Sequence, residues 1–337
     1  MTLPLIVGLQ GPALTNGERA FLSVARPLGI ILFARNIVDP DQVAALTAAC
    51  RETLDEDPWI LIDQEGGRVA RLKPPHWAEY PAAGRLGALP SGMAEDCVYA
   101  NARLIADALY PLGITVDCHP VLDLALPDTH AIIGDRAFSR DPETVGRLGR
   151  AACQGLLDGG ILPVIKHIPG HGRATADSHE TLPFVAASRA ELEADFAAFR
   201  AAADAPVAMT AHIVYEALDP AEPATMSCKV IETVIRGEIG FEGVLLSDDL
   251  TMRALTGPMG ERATRALAAG CDAVLHCNGV LAEMEEIAAM LSPLSGESGK
   301  RVAAVRNGLR QPRPFDVSAA KARLDKNVAA GGQETIS

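Results

Sequence analysis

The stretch from Lys166 to Pro183, KHIPGHGRATADSHETLP, places three histidines, two acids and a lysine on one glycine-containing segment. It directly follows an apolar run, GGILPVI, so Lys166 and His167 stand where a buried strand meets solvent and are held in place. Gly170-His171-Gly172 then allows tight turning and close backbone approach. Asp177 and His179 are two residues apart, and in an extended segment both side chains point the same way. A carboxylate beside an imidazole orients it and favours its charged form, an arrangement suited to general acid–base chemistry. The same histidines could be metal ligands. However, His167 and His171 flank Pro169-Gly170 and share no helical face, and no regularly spaced cysteines or carboxylates accompany them. The expectation is therefore no metal and no cofactor. A purely structural loop would have to bury or solvate these groups without using them.

Two further stretches carry candidate groups. In LIDQEGGRVARL (61–72), Asp63 ends an apolar run before a Gly-Gly turn, and Arg68 and Arg71 follow. An aspartate there can accept from two hydroxyls of a polyol, and an arginine can donate several hydrogen bonds. Alternatively, Asp63 is a turn acid paired with Arg68. In GVLLSDDLTM (243–252), Asp248 and Asp249 are adjacent, so their side chains diverge on an extended chain and one of them faces the strand-end mouth. That carboxylate could be a nucleophile, a general base or a metal ligand. The alternative is a helix N-cap at Asp249 beside a solvated Asp248. No G-x-S-x-G or Walker-type loop is present, and no G-x-G-x-x-G follows the first apolar run. Aromatic residues make up 4% of the chain, which favours a small polar pocket for one sugar over an extended stacking cleft.

These groups must be positioned by the elements between them. Eight short apolar runs recur: 5–9, 29–33, 59–62, 113–116, 162–165, 206–209, 243–246 and 272–276. They are short for helices and lack alternation, as expected of strands buried on both faces. Helical patterns separate them. Asp39-Pro40 with Gln42, Asp141-Pro142, and Ser188 with Glu191 each read as a helix start. Alternating strands and helices imply parallel strands. Polar residues gather after nearly every run: Arg35, Asp63, Asp117, His119, Lys166, Thr210, His212, Asp248, His276 and Asn278. An α/β fold of the (β/α)8 TIM barrel type, with its site on that rim, accounts for this better than an open sheet. Residues 1–326 read as a single barrel domain with closing helices after 280, and 327–337 as a polar, flexible tail.

The chain has 337 residues and a net charge of −13, which disfavours nucleic acid and anionic membrane surfaces as partners. No basic leader precedes the first apolar run, and no run approaches the roughly 20 residues of a membrane span. Seven scattered cysteines, without a C-x-x-C pair, read as reduced thiols of a cytoplasmic protein. A monomer is expected.

Taken together, GIILFARNI, LIDQEGGRVARL, PVLDL, IIGDRAFSRDP, VIKHIPGHGRATADSHETLP, AHIVY and GFEGVLLSDDL resemble glycoside hydrolase family 3. Within it, they resemble the single-domain bacterial β-N-acetylglucosaminidases, in the right order over roughly residues 5 to 280. The resemblance implies Asp248 as nucleophile and His179, with Asp177, as acid/base. It implies sugar binding by Asp63, Arg71, Arg136, Lys166 and His167. It further implies a retaining release of terminal GlcNAc from GlcNAc-1,6-anhydroMurNAc, with or without peptide, during cell-wall recycling. A phosphorylase on the same scaffold, or a non-catalytic sugar-binding relative, are the other readings. Ile168 stands where the family usually has Phe, and His76-Trp77 is unusual, so the leaving-group preference stays open.

Overall fold

The computed structural model describes residues 1–54 and 57–331. Among them, eight parallel strands close into a barrel. They are β1 (Leu3–Gly8), β2 (Pro27–Leu32), β3 (Trp59–Ile62), β4 (Val116–Asp117), β5 (Leu162–Ile168), β6 (Val207–Thr210), β7 (Val244–Asp249) and β8 (Ala273–His276), each paired with its sequence neighbours and β8 with β1. A helix follows each strand in turn: Asn16–Ala25, Pro40–Leu54, Met93–Leu109, Pro142–Asp158, Arg189–Arg200, Val230–Glu238, Met259–Ala269 and Leu281–Met290. The expected (β/α)8 architecture is the observed one.

The apolar runs lack alternation because both faces of every strand are covered. On β3, Trp59 and Leu61 turn into the barrel, whereas Ile60 and Ile62 face the surrounding helices. Val164, Val207, Met209, Val244 and Leu246 complete much of the inner core. Full burial of one such side chain contributes about 1.5–3 kcal/mol. Val302 and Val305 of helix Gly296–Gly308 join the same cluster. The helix Val317–Gly331 buries Leu324 and Val328. Residues 327–331 of the expected tail are therefore helical, and 332–337 lie outside the described residues.

The helix starts follow the sequence. Asp141 accepts from the Thr144 N–H at 2.9 Å, Asp39 from the Gln42 N–H at 2.8 Å, and Ser188 with Glu191 forms a reciprocal capping box. The fourth strand starts later than the run 113–116 suggested. Gly113 takes a left-handed φ of 72° as it leaves the preceding helical turn, so pairing begins beyond it.

Two register slips matter for the site. Pairing of β5 with β6 slips between Lys166 and Ile168, and pairing of β7 with β8 slips between Leu246 and Asp249. Irregularities at a barrel rim re-aim side chains. They let the neighbours Lys166 and His167, and Asp248 and Asp249, all border the mouth.

Candidate active site

The carboxyl ends of the strands enclose a cavity of about 260 Å³. Asp63, Arg71, Arg136, Lys166, His167, His179 and Asp248 line it, together with Phe33, Met209 and Met252. Asp177 stands one bond behind His179. All eight residues expected at the site are thus brought together.

One wall is a ladder of alternating charge. Arg71 reaches Asp63 at 2.8 Å, and Asp63 reaches Lys166 at 2.9 Å. Lys166 reaches Glu65 at 2.6 Å, and Glu65 receives both arms of the Arg136 fork at 2.9 Å. Lys166 and Glu65 are nearly inaccessible, so their charges persist only because each is paired. Burial would raise the Asp63 carboxyl, but Lys166 and Arg71 more than reverse this and hold it at about 2. Burial likewise opposes the charge on Glu65, and Arg136 and Lys166 drive it well below the usual carboxylate range. The ladder presents fixed acceptors and donors to the hydroxyls of a small polar ligand. Arg68 is not the partner of Asp63. It bonds Asp135 and the carbonyls of Ala131 and Ile132, tying the β3 loop to the β4 loop. The turn between them needs Gly66 at φ 95°, where a Cβ would meet the Pro81 carbonyl at 2.5 Å.

The opposite wall is the end of β7, where the two aspartates divide. Asp249 Oδ1 accepts from the N–H groups of Thr251 at 3.0 Å and Cys277 at 3.1 Å, and Oδ2 accepts from the Thr251 hydroxyl at 2.6 Å. Its carboxylate is committed to holding the rim together. Asp248 accepts the Asp249 N–H at 2.8 Å and otherwise borders the cavity. Burial would raise the Asp248 carboxyl. His212, His167, the Asp249 N–H and His179 outweigh that and hold it below the usual carboxylate value. His212 is itself fixed, with Nε2 donating to the Asp249 carbonyl at 3.0 Å and Nδ1 against the Thr225 hydroxyl at 2.7 Å.

The loop after β5 has a fixed root and a suspended tip. Buried Asp123 accepts the His171 N–H at 2.6 Å and bonds His167 Nδ1 at 2.7 Å, which leaves His167 Nε2 for the cavity. Tyr215 donates to the Gly170 carbonyl at 2.9 Å, and Thr129 to the Gly172 carbonyl at 2.6 Å. Beyond Ala174 the chain turns. The N–H groups of Glu180 and Thr181 both bond the Asp177 carbonyl at 3.0 Å. Asp177 Oδ1 accepts the His179 N–H and meets His179 Nδ1, each at 2.8 Å. Asp177 and His179 therefore meet across an Asx-type turn and not along an extended chain. Burial would raise Asp177, and the His179 N–H and ring more than offset it, so this carboxyl lies below its usual value. Since Nδ1 is taken, Nε2 is the nitrogen of His179 left to exchange a proton.

Glu65, Asp123 and Ser178 are site residues that sequence reasoning did not assign. Glu65 carried a signal, an acid two residues past a strand end, and so did Asp123, an acid inside the apolar PVLDL. Among the described residues, no group of three or more His, Cys, Asp or Glu side chains is placed to hold a metal ion.

A closed parallel barrel whose strand ends gather carboxylates, cations and an imidazole around one small polar cavity defines the class of barrel enzymes. The model of the glycosyl hydrolase family 3 N terminal domain matches residues 13–306, and the chain belongs to that family of hydrolases. A beta-hexosaminidase of Alkalilimnicola ehrlichii is 42% identical over 283 residues, covering 82% of this chain and 80% of the relative. One of Chromobacterium violaceum is 41% identical over 305 residues, covering 87% and 82%. Among solved structures, NagZ from Neisseria gonorrhoeae in complex with N-trifluoroacetyl-D-glucosamine matches with a TM-score of 0.86 and 33% identity, over 98% of each chain. A family 3 β-N-acetylglucosaminidase from Paenibacillus matches with a TM-score of 0.85 and 31% identity, over 96% of this chain and 66% of that longer one.

Proposed function

We propose that the protein is a retaining exo-β-N-acetylglucosaminidase. The observation that carries this reading is that Asp248, on a rigid strand end, and His179, on a loop and backed by Asp177, line one cavity. Asp248, held in its charged form, attacks the anomeric carbon as the glycosidic bond breaks. His179 protonates the departing oxygen. It then takes a proton from water, which attacks the glycosyl-enzyme and releases sugar with retained configuration. Asp63, Arg71, Lys166, His167 and Arg136 bind the hydroxyls of one terminal sugar in the cavity of about 260 Å³.

The names of the relatives support a 2-acetamido sugar. The substrate we propose is terminal GlcNAc on peptidoglycan fragments, GlcNAc-1,6-anhydroMurNAc with or without peptide. The seven free cysteines fit a reducing cytoplasm, where such fragments are recycled. Among the described residues, no helix is long and apolar enough to cross a membrane.

An imidazole in place of a carboxylate as acid/base does not repel an anionic acceptor, which keeps phosphorolysis in view. Turnover of 4-nitrophenyl β-N-acetylglucosaminide with and without phosphate separates the two. Hydrolysis gives GlcNAc at the same rate in both. Phosphate-dependent turnover that yields the sugar 1-phosphate would overturn the hydrolase reading.

A further inference from the structure

The loop that carries His179 is pinned at both ends. At its root, Ala174 is held by the His171 carbonyl and by the His130 N–H, and at its far end the Pro183 carbonyl accepts the Val214 N–H. Residues 175–182 bridge these two points. Among the described residues, the hydrogen bonds that tie this bridge to the rest of the chain are two, and both are made by Ser178. Its hydroxyl meets His171 Nε2 at 3.4 Å, and its carbonyl accepts the Ala254 N–H at 3.2 Å. Ser178 is buried although His179 beside it is exposed.

The two partners come from different places. His171 belongs to the fixed root, where its own N–H is locked onto Asp123. Ala254 lies in the turn that follows β7, six residues after Asp248. We propose that Ser178 is a positioning residue: a two-point clasp that holds the Asp177–His179 turn over the cavity that Asp248 borders, by joining it to the loop root and to the turn that follows the strand presenting Asp248. This rests on the reading of His179 as the acid/base. Both bonds are at the long end of the hydrogen-bond range, so the clasp can open and close without a large barrier. Ser178 does not transfer a proton itself. It raises the fraction of molecules in which His179 faces the departing oxygen.

Ser178→Ala removes the hydroxyl and keeps the backbone bond. With one of the two tethers gone, kcat/KM for N,N′-diacetylchitobiose, whose leaving group needs a proton, should fall about fivefold. For 4-nitrophenyl β-N-acetylglucosaminide, whose leaving group departs without one, the fall should stay within about twofold. Inhibition by free GlcNAc should not change, and amide exchange at Glu180 and Thr181 should quicken while that of residues 170–174 stays as in the parent. A merely structural role would instead lower both substrates together and loosen the root as well. His179→Ala is run beside it. If His179→Ala shows the leaving-group selectivity and Ser178→Ala does not, the clasp is wrong and the acid/base reading stands. If His179→Ala shows none, that reading fails and the clasp falls with it.

Discussion

Replacing Asp249 and Asp248 one at a time asks whether two adjacent carboxylates divide structure from chemistry. Asp249→Ala strands three donors: the N–H of Thr251, the hydroxyl of Thr251 and the N–H of Cys277. Hydrogen bonds to a charged acceptor contribute about 1.5–3 kcal/mol each, but Thr251 is half-buried and its groups can still be reached by water. The Cys277 N–H is the one left most poorly served, which brings the expected loss to about 3–4 kcal/mol. For a chain of this length, with an unfolding entropy of about 2.1 cal/mol/K per residue, that lowers Tm by roughly 5 °C. Asp248→Asn keeps an oxygen for the Asp249 N–H, so its Tm should move by no more than about 1 °C. Its turnover should fall to background while GlcNAc binding stays measurable. Thermal unfolding and 4-nitrophenyl glycoside turnover on the two variants give the comparison. Near-parent turnover in Asp248→Asn, or lost turnover at unchanged Tm in Asp249→Ala, would refute the division of roles.

Loss of the proposed acid/base should depend on the leaving group. His179→Ala and Asp177→Ala should lower kcat/KM for chitobiose by about 10²–10⁴, and much less for the 4-nitrophenyl glycoside; equal losses on both would leave the loop a binding role only. Stability should fall in acid. The Asp63 carboxyl is held at about 2, below its unfolded value near 3.8, so the stability it adds is complete above pH 4 and is lost as pH falls from about 4 to 2. This amounts to about 2–3 kcal/mol, and the urea midpoint of Asp63→Asn should be correspondingly less acid-sensitive over that window; the same slope as the parent would contradict the ladder. EDTA should leave turnover intact, and a loss that zinc restores would revive the metal reading of the histidines.

The barrel was legible because burial on both faces writes each strand as an unbroken apolar run, and because polar residues collect where those runs end. That one pattern located Asp63, Lys166, His167 and Asp248. What it could not resolve was set by local geometry. Asp248 and Asp249 are equivalent as letters, and only the donors around Asp249 show which carboxylate is committed to structure. The Asp177–His179 pair was found for the wrong backbone reason, since an Asx turn and an extended strand both bring residues i and i+2 together. Glu65 and Asp123 escaped assignment because their work is done on other side chains: one braces Lys166 and Arg136, the other fixes His167 and the loop root. The division of the loop into an anchored root and a suspended tip depends on Tyr215 and Thr129, far away in sequence. The start of β4 moved because Gly113 leaves the helix in a left-handed turn, which no apolar run records.

Trapping the glycosyl-enzyme tests the central claim most directly. A 5-fluoro analogue of β-N-acetylglucosaminide with an activated leaving group forms the covalent intermediate readily and hydrolyses it slowly. After proteolysis, mass mapping should place one sugar-sized adduct on the peptide from strand β7, at Asp248, and none in Asp248→Asn. An adduct on another residue would contradict the assignment of Asp248 as nucleophile. So would the absence of any adduct from enzyme that turns over the 4-nitrophenyl substrate and is inactivated by the analogue.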